Sequence, residues 1–187
     1  MLLPGVRIWP TAKSVPRKQK TKPTAALDDY IKQLSLAGII EPSKRGPFVA
    51  SLFIIPKQNN EPRLIVDYSN LTPVLKPPKF YLPSIYQLLK RKQFPFVNPF
   101  FIKIDLKNAF YNIAIAEQSR YITTFYYKKY YRFKYLPFGL SIAPFFMQLV
   151  TNYISKYFTQ HGNLMLFHHS FIKSNKLSNT LILIKSK

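Results

Sequence analysis

The chain has 187 residues, no cysteine and a formal charge of +21, from 28 Lys and Arg against seven Asp and Glu. The lack of cysteine excludes disulfides and Cys-ligated zinc, and no apolar run reaches the roughly 18 residues of a membrane span. So much like charge repels itself in a compact state and points to a polyanionic partner, most simply nucleic acid.

The length suits one domain, or one and a half, and a hydrophobic content of 47% suffices for a core. The 16 Phe, 13 Tyr and single Trp serve chiefly to fill that core, with base stacking as their other use. The opening, Met1 to Arg7, is broken by Pro4 too early for a secretory signal. These features fit an intracellular protein, nucleus and cytoplasm not being distinguished.

Residues 1–23 predict an irregular, flexible lead or linker. Pro4, Pro10, Pro16 and Pro23 punctuate it, and Lys13, Arg17, Lys18, Lys20 and Lys22 make a basic run suited to phosphate contact or nuclear targeting. Residues 24–38 predict a helix. Thr24 caps it, Asp28 and Asp29 lie where the dipole favours acid, Leu27, Ile31 and Leu34 share a face, and Gly38 stops it.

Residues 48–57 and 63–68 predict two strands joined by a polar turn, a hairpin whose tip carries Lys57 and Arg63. These two cations are either solvated hairpin charge or a pair that grips phosphate. Four prolines make 71–83 a loop, and a short helix follows over 84–92, capped by Ser84.

The stretch 100–106 predicts a buried strand ending in Asp105, one of the seven acids. A carboxylate at the end of an apolar run is costly unless something positive holds it. Asp105 is therefore either a metal ligand at a strand end or the cap of a short following helix, paired with lysine. Residues 121–126 and 130–135 predict a second hairpin across Tyr127, Lys128 and Lys129, and 136–141 a turn. An amphipathic helix starts near Ala143, with Ala143, Met147, Val150, Ile154 and Phe158 on its face. The final residues, 161–187, predict a degenerate basic tail holding His161, His168 and His169 and no acid. Without a carboxylate or Cys beside them, those histidines make a weak case for a metal. No internal repeat is visible.

Taken together, four stretches in order resemble the reverse transcriptases of long-terminal-repeat retrotransposons and retroviruses, from about Leu27 to about Phe158. Leu36 to Ser43 is similar to the family's opening Gly-Ile-Ile segment. Pro56-Lys57 with Arg63 to Tyr68, followed by Asn70-Leu71-Thr72, looks like the fingers hairpin. Ile104 to Phe110 looks like the first catalytic motif, and Leu136 to Leu140 with Ala143-Pro144 like the second palm motif.

The resemblance implies RNA-directed DNA polymerase ancestry, with nucleotidyl transfer by two Mg2+ ions. It makes Asp105 the catalytic, metal-binding carboxylate, with the Leu106 carbonyl as a further metal ligand. It implies that Arg63 and Lys57 hold the triphosphate. Phe110 would pack under the sugar and select deoxynucleotides, while Phe138 and Gly139 flank the incoming nucleotide.

The sequence departs from the family at its third motif, a hydrophobic residue followed by Asp-Asp. That motif falls due near 167–172, where the chain reads Phe-His-His-Ser-Phe-Ile, and no acid occurs after Glu117. No counterpart of the thumb, connection or ribonuclease H domain is recognised. A decayed or frameshifted fragment accounts for this most simply. The expected fold is α+β, reverse-transcriptase-like, with fingers over 24–99 and a partial palm over 100–160, truncated before the third motif.

In that palm the 100–106 strand and the 121–135 hairpin share a sheet that lacks an edge hairpin and is backed by the 143–158 helix. The exposed edge predicts poor solubility. Three functions remain open: a catalytically impaired reverse-transcriptase fragment, a non-catalytic basic nucleic-acid-binding protein derived from one, or a subunit whose partner chain supplies the missing palm and thumb. Template–primer RNA or DNA is the expected partner, with a deoxynucleotide if the chain is active and no membrane.

Overall fold

The computed structural model describes residues 5–15, 22–56, 62–76, 78–80, 100–105, 108–161, 164–173 and 176–185. Over 100–105, 164–173 and 176–185 the description is of backbone and register. The helix expected over 84–92, Lys57 and Leu106 lie outside the described residues. In chain order the elements are α1 (Ala25–Leu36), β1 (Ile40–Pro42), β2 (Ser51–Pro56), β3 (Pro62–Asp67), β4 (Phe100–Asp105), β5 (Phe125–Tyr127), β6 (Lys129–Phe133), α2 (Ala143–His161), β7 (Leu164–Lys173) and β8 (Lys176–Lys185).

Two compact units emerge: Met1–Pro77 with Phe110–Ala143, and Pro78–Ala109 with Pro144–Lys187. Within the first unit Ile40 of β1 lies opposite Phe133 of β6.

In the first unit α1 forms as its caps and stripe dictate. The extended Thr24 accepts the Leu27 N–H on its hydroxyl at 3.3 Å, and Leu27, Ile31 and Leu34 are buried. At the other end Gly38 takes φ +65°, its N–H donating to Ser35 O at 3.0 Å and the Ile39 N–H donating to Leu34 O at 2.9 Å. This paired closure stops the helix and delivers the chain straight into β1.

The sheet has the order β1-β6-β5, all antiparallel. Its hairpin is shorter than expected. Glu117–Thr123 wind into a 3-10 helix, and Tyr127 pairs with Lys129 across Lys128 alone, at φ 57°. The Thr123 hydroxyl explains the shift: it donates to Arg120 O at 2.8 Å and accepts the Phe133 N–H at 3.0 Å, standing in for a strand partner.

The β2–β3 hairpin forms where expected, with Leu52 opposite Val66, both buried, while Phe53 and Ile55 face outward. Ala50 bridges Phe125 in parallel, its N–H donating to Thr124 O at 2.8 Å, and so joins the hairpin to the sheet. Phe48, Tyr68, Leu71, Phe125, Phe133 and Leu136 form the fully buried centre.

The lead, expected to be a flexible linker, is irregular but anchored over Gly5–Val15. The Val6 N–H donates to Ala114 O at 2.8 Å, and Val6 O accepts the Ala116 N–H at 2.9 Å. The Ile8 N–H donates to the Ser119 hydroxyl at 3.0 Å, with the Ile8 side chain buried. Thr11 and Val15 donate to Val74 O and Pro47 O at 2.8 and 3.3 Å. Prolines deny this segment a regular ladder, but the residues between them still hold it.

In the second unit β4, β8 and β7 form one antiparallel sheet in that order. Two expectations change here. Residues 161–187 include two strands rather than only a degenerate tail, and the partner of the Asp105 strand is β8 rather than the 121–135 hairpin. Leu164–Phe167 and Leu181–Ile184 are apolar, β-favouring runs. Their basic, acid-free surroundings obscured that pattern.

Along α2, Ala143 and Met147 are buried as expected, but Val150 is 40% exposed and Thr151 takes the buried place. The Thr151 hydroxyl donates to Met147 O at 3.0 Å, so it enters the interior with its polar group satisfied. Ile154 is half-buried, and the Phe158 side chain lies outside the described ones. Among the described residues no helix is long and apolar enough to cross a membrane.

Candidate nucleotide and nucleic-acid site

The site is built in the first unit where β3 leaves its hairpin. Asp67 accepts the Ser69 N–H at 2.8 Å, turning the chain, and the Leu71 N–H donates back to Tyr68 O at 2.8 Å. Tyr68 points inward, its hydroxyl donating to Thr123 O at 3.3 Å. Burial, reinforced by the neighbouring Tyr111, pushes its pKa well above the ordinary tyrosine value.

The Pro-Phe-Gly-Leu turn packs against this segment. The Leu136 N–H donates to Ile113 O at 2.9 Å. Gly139 adopts φ +88°, and a Cβ there would lie 2.8 Å from Val66 O on β3. Only glycine both takes that backbone conformation and admits the strand so closely.

Phe138 sets its ring edge-on against Phe110, at 5.0 Å between centroids, and against Tyr111 at 5.5 Å. Phe110 is 1% exposed, so its ring is covered by neighbours rather than open to a ligand. Burial, with a smaller contribution from Tyr30, pushes the Tyr111 hydroxyl up to about 12.

Of the sequence-derived candidates, Phe110, Phe138 and Gly139 thus come together, with Gly139 seated on the strand that carries Arg63. The Arg63 backbone lies opposite Ile55. Asp105 belongs to the second unit, as the last residue of β4. Its backbone lies opposite Thr180, which in turn lies opposite His169. The preceding row is Ile104, Leu181 and His168.

The donor set of that sheet can be weighed against a pair of magnesium ions. Magnesium wants carboxylate oxygens and near-octahedral geometry, and a neutral imidazole is a poor substitute. Across β4, β7 and β8 the single acid is Asp105. The residues present do not fit a two-magnesium centre. Among the described side chains, no group of three or more His, Cys, Asp or Glu could hold a metal ion.

Charged residues that the motifs did not single out for a role also shape this unit. Glu41 accepts from Arg132 Nε at 2.7 Å and from Arg120 Nη1 at 3.3 Å, all three half-buried. Arg120 Nε also donates to Ile115 O at 3.2 Å. At the hairpin tip, Asp28 pairs with Lys128 at 2.6 Å and accepts the Tyr127 hydroxyl at 3.0 Å. The Lys128 hydrogen bond holds the Asp28 carboxyl below its usual range. An acid in so basic a chain is itself the signal that would have flagged Glu41 and Asp28 as bridging residues.

Residues 55–172 match the family model for reverse transcriptase (RNA-dependent DNA polymerase). Over 130 residues, 69% of this chain, it is 33% identical to the Transposon Tf2-7 polyprotein of Schizosaccharomyces pombe and 32% identical to the Tf2-3 polyprotein. The alignment takes in 10% of each polyprotein, so the chain matches a small part of these relatives. Among solved structures, native Prototype Foamy Virus Protease-Reverse Transcriptase superposes with a TM-score of 0.66 at 19% identity, covering 95% of this chain and 23% of that one. The foamy viral protease-reverse transcriptase dRH in complex with ds DNA gives 0.65 at 16% identity, covering 99% and 30%. The fold is that of a partial reverse transcriptase domain, α+β as expected. The chain belongs to the reverse transcriptase (RNA-dependent DNA polymerase) family.

Proposed function

We propose that this chain is a reverse-transcriptase fragment of a retroelement polyprotein that holds nucleic acid and, by itself, carries out little or no nucleotidyl transfer. The observation that carries the reading is the register row of Asp105, Thr180 and His169, where a two-metal site would need further carboxylates. The net charge of +21 supports retained binding to a phosphate backbone, and a foamy viral relative of the same fold is known in complex with ds DNA.

Under this reading Arg63 and Lys57 contribute charge toward a triphosphate or template phosphate. Phe110, Phe138 and Gly139 keep the turn beside them in shape. Asp105 remains as the one surviving catalytic carboxylate, with the Leu106 carbonyl beside it in sequence. The test is primer extension on an RNA template with magnesium and then manganese, comparing wild type with Asp105→Asn. Binding to the same template–primer is measured across salt concentrations. Absence of extension in both proteins, with binding that weakens steeply as salt rises, is expected. Extension that disappears in Asp105→Asn would overturn the impairment and show that other groups complete the site.

A further inference from the structure

We propose that the anchored N-terminal strap is a binding site for single-stranded nucleic acid, with Trp9 as a base-stacking platform and Arg7 and Lys13 as its phosphate contacts. Its ligand class rests on the nucleic-acid-binding reading above; its location does not. Residues alternate along this segment as on a strand. Ile8 turns inward and is buried, while Arg7, Trp9 and Lys13 are exposed. Trp9, the only tryptophan of the chain, is 71% exposed.

An exposed tryptophan is ordinarily a weak sign, since isolated apolar surface residues are common. Here the backbone on either side is fixed. Val6 bonds Ala114 and Ala116, Ile8 and Ser119 exchange hydrogen bonds at 3.0 and 3.3 Å, and Thr11 holds Val74 through both its N–H and its hydroxyl. The ring is therefore presented from an ordered base, and little backbone freedom remains to be lost when a nucleobase lies on it.

The charge around it is predominantly positive. No acid precedes Asp28 in the sequence, and on the segment the strap lies along, 114–119, Glu117 is the one acid. Beyond the strap the sequence continues with Arg17, Lys18, Lys20 and Lys22. A flat aromatic face between cations is the combination that single strands use, because unstacked bases offer their faces and the backbone offers regularly spaced charge. A duplex keeps its bases stacked on one another and presents no free face to the indole.

Because Trp9 is the sole tryptophan, the intact chain reports on its own site. Fluorescence excited at the red edge of the tryptophan band is followed while a thymidine oligonucleotide of about 12 nucleotides is added. Quenching is expected. Trp9→Ala should weaken binding by about fivefold or more, the fold-change that corresponds to losing one base–aromatic stack, while Trp9→Phe retains most of the affinity. Arg7→Ala and Lys13→Ala should each lower the salt slope by roughly 0.7.

Since Trp9 is exposed, an unchanged circular-dichroism melt shows that the variants remain folded. Tight binding with unchanged Trp9 emission and unchanged affinity in Trp9→Ala overturns the site and leaves the nucleic-acid reading standing. Equal weakening toward single strand and duplex overturns the assignment to single strands. Binding to neither overturns this proposal together with the reading it rests on.

Discussion

Gly139→Ala should cost markedly more stability than Gly38→Ala, and the difference measures one contact. Both glycines have positive φ, +88° and +65°. Placing an L-residue in that region costs about 1–2 kcal/mol. At Gly38 that is the whole penalty, because an added Cβ meets nothing within 4 Å. At Gly139 the Cβ would lie 2.8 Å from Val66 O, a strand carbonyl that moves only if β3 or the turn moves. Such overpacking adds about 1–3 kcal/mol. The expected losses are thus about 1–2 kcal/mol for Gly38→Ala and about 2–5 kcal/mol for Gly139→Ala. Urea unfolding followed by circular dichroism reads both. Hydrogen exchange should show β2–β3 amides loosened in Gly139→Ala alone. Equal losses in the two variants would refute the claim that the Pro-Phe-Gly-Leu turn is clamped onto β3.

Other consequences follow from the charge and hydroxyl pairings. Glu41→Gln leaves Arg120 and Arg132 facing each other without their shared acid, and should destabilise by about 1–3 kcal/mol, less as salt rises, in thermal melts. The Asp28 carboxyl is held below its reference value of 3.8, so its contribution is present above that pH and is lost as pH falls through the folded value. Asp28→Asn should flatten the acid limb of the stability profile. Tyr111 is raised from 10.0 to about 12, so its contribution is complete below pH 10.0 and disappears as pH rises through about 12. Ultraviolet titration should show Tyr111 ionising late, with Tyr111→Phe losing less stability than wild type over that window. Thr24→Ala should cost about 1 kcal/mol by removing the α1 cap, read as a lower urea midpoint.

Local structure was legible wherever one segment's own chemistry decides it. Thr24, the Leu27–Ile31–Leu34 stripe and Gly38 specify α1 without help, and two apolar runs, Leu52 to Ile55 and Leu64 to Val66, on either side of a polar turn specify β2 and β3. What sequence could not supply was pairing between distant segments. Nothing in Lys129–Phe133 says that it lies beside Ile40–Pro42, and nothing in Lys176–Lys185 says that it lies beside Phe100–Asp105. The lead was misread for the same reason: prolines announce irregularity, but Ser119, which anchors Ile8, lies far along the chain.

The motifs themselves were legible because many of their residues are also packing residues. Ala109, Phe110, Leu136, Leu140 and Ala143 are all buried. A chain can therefore keep the family's signature through selection or inertia in its core while losing the acids that do chemistry. Recognition here reports the fold, and the carboxylate count bears on the proposed impairment.

That separation can be probed by adding an acid back. Thr180 lies directly opposite Asp105 in the antiparallel pair β4–β8, and residues so placed have Cα atoms about 4.5–5.5 Å apart with side chains on one face of the sheet. Thr180→Asp would set two carboxylates side by side. Two like charges at that range disfavour each other, which raises the pKa of one of them, and a divalent cation relieves the repulsion. The expected result is manganese binding by calorimetry in Thr180→Asp that is absent from wild type and lost again in Thr180→Asp with Asp105→Asn. Acid titration should show one carboxylate shifted upward when metal is withheld. If Thr180→Asp folds as wild type does yet neither binds manganese nor shifts a carboxylate, the Asp105–Thr180 row does not face one site.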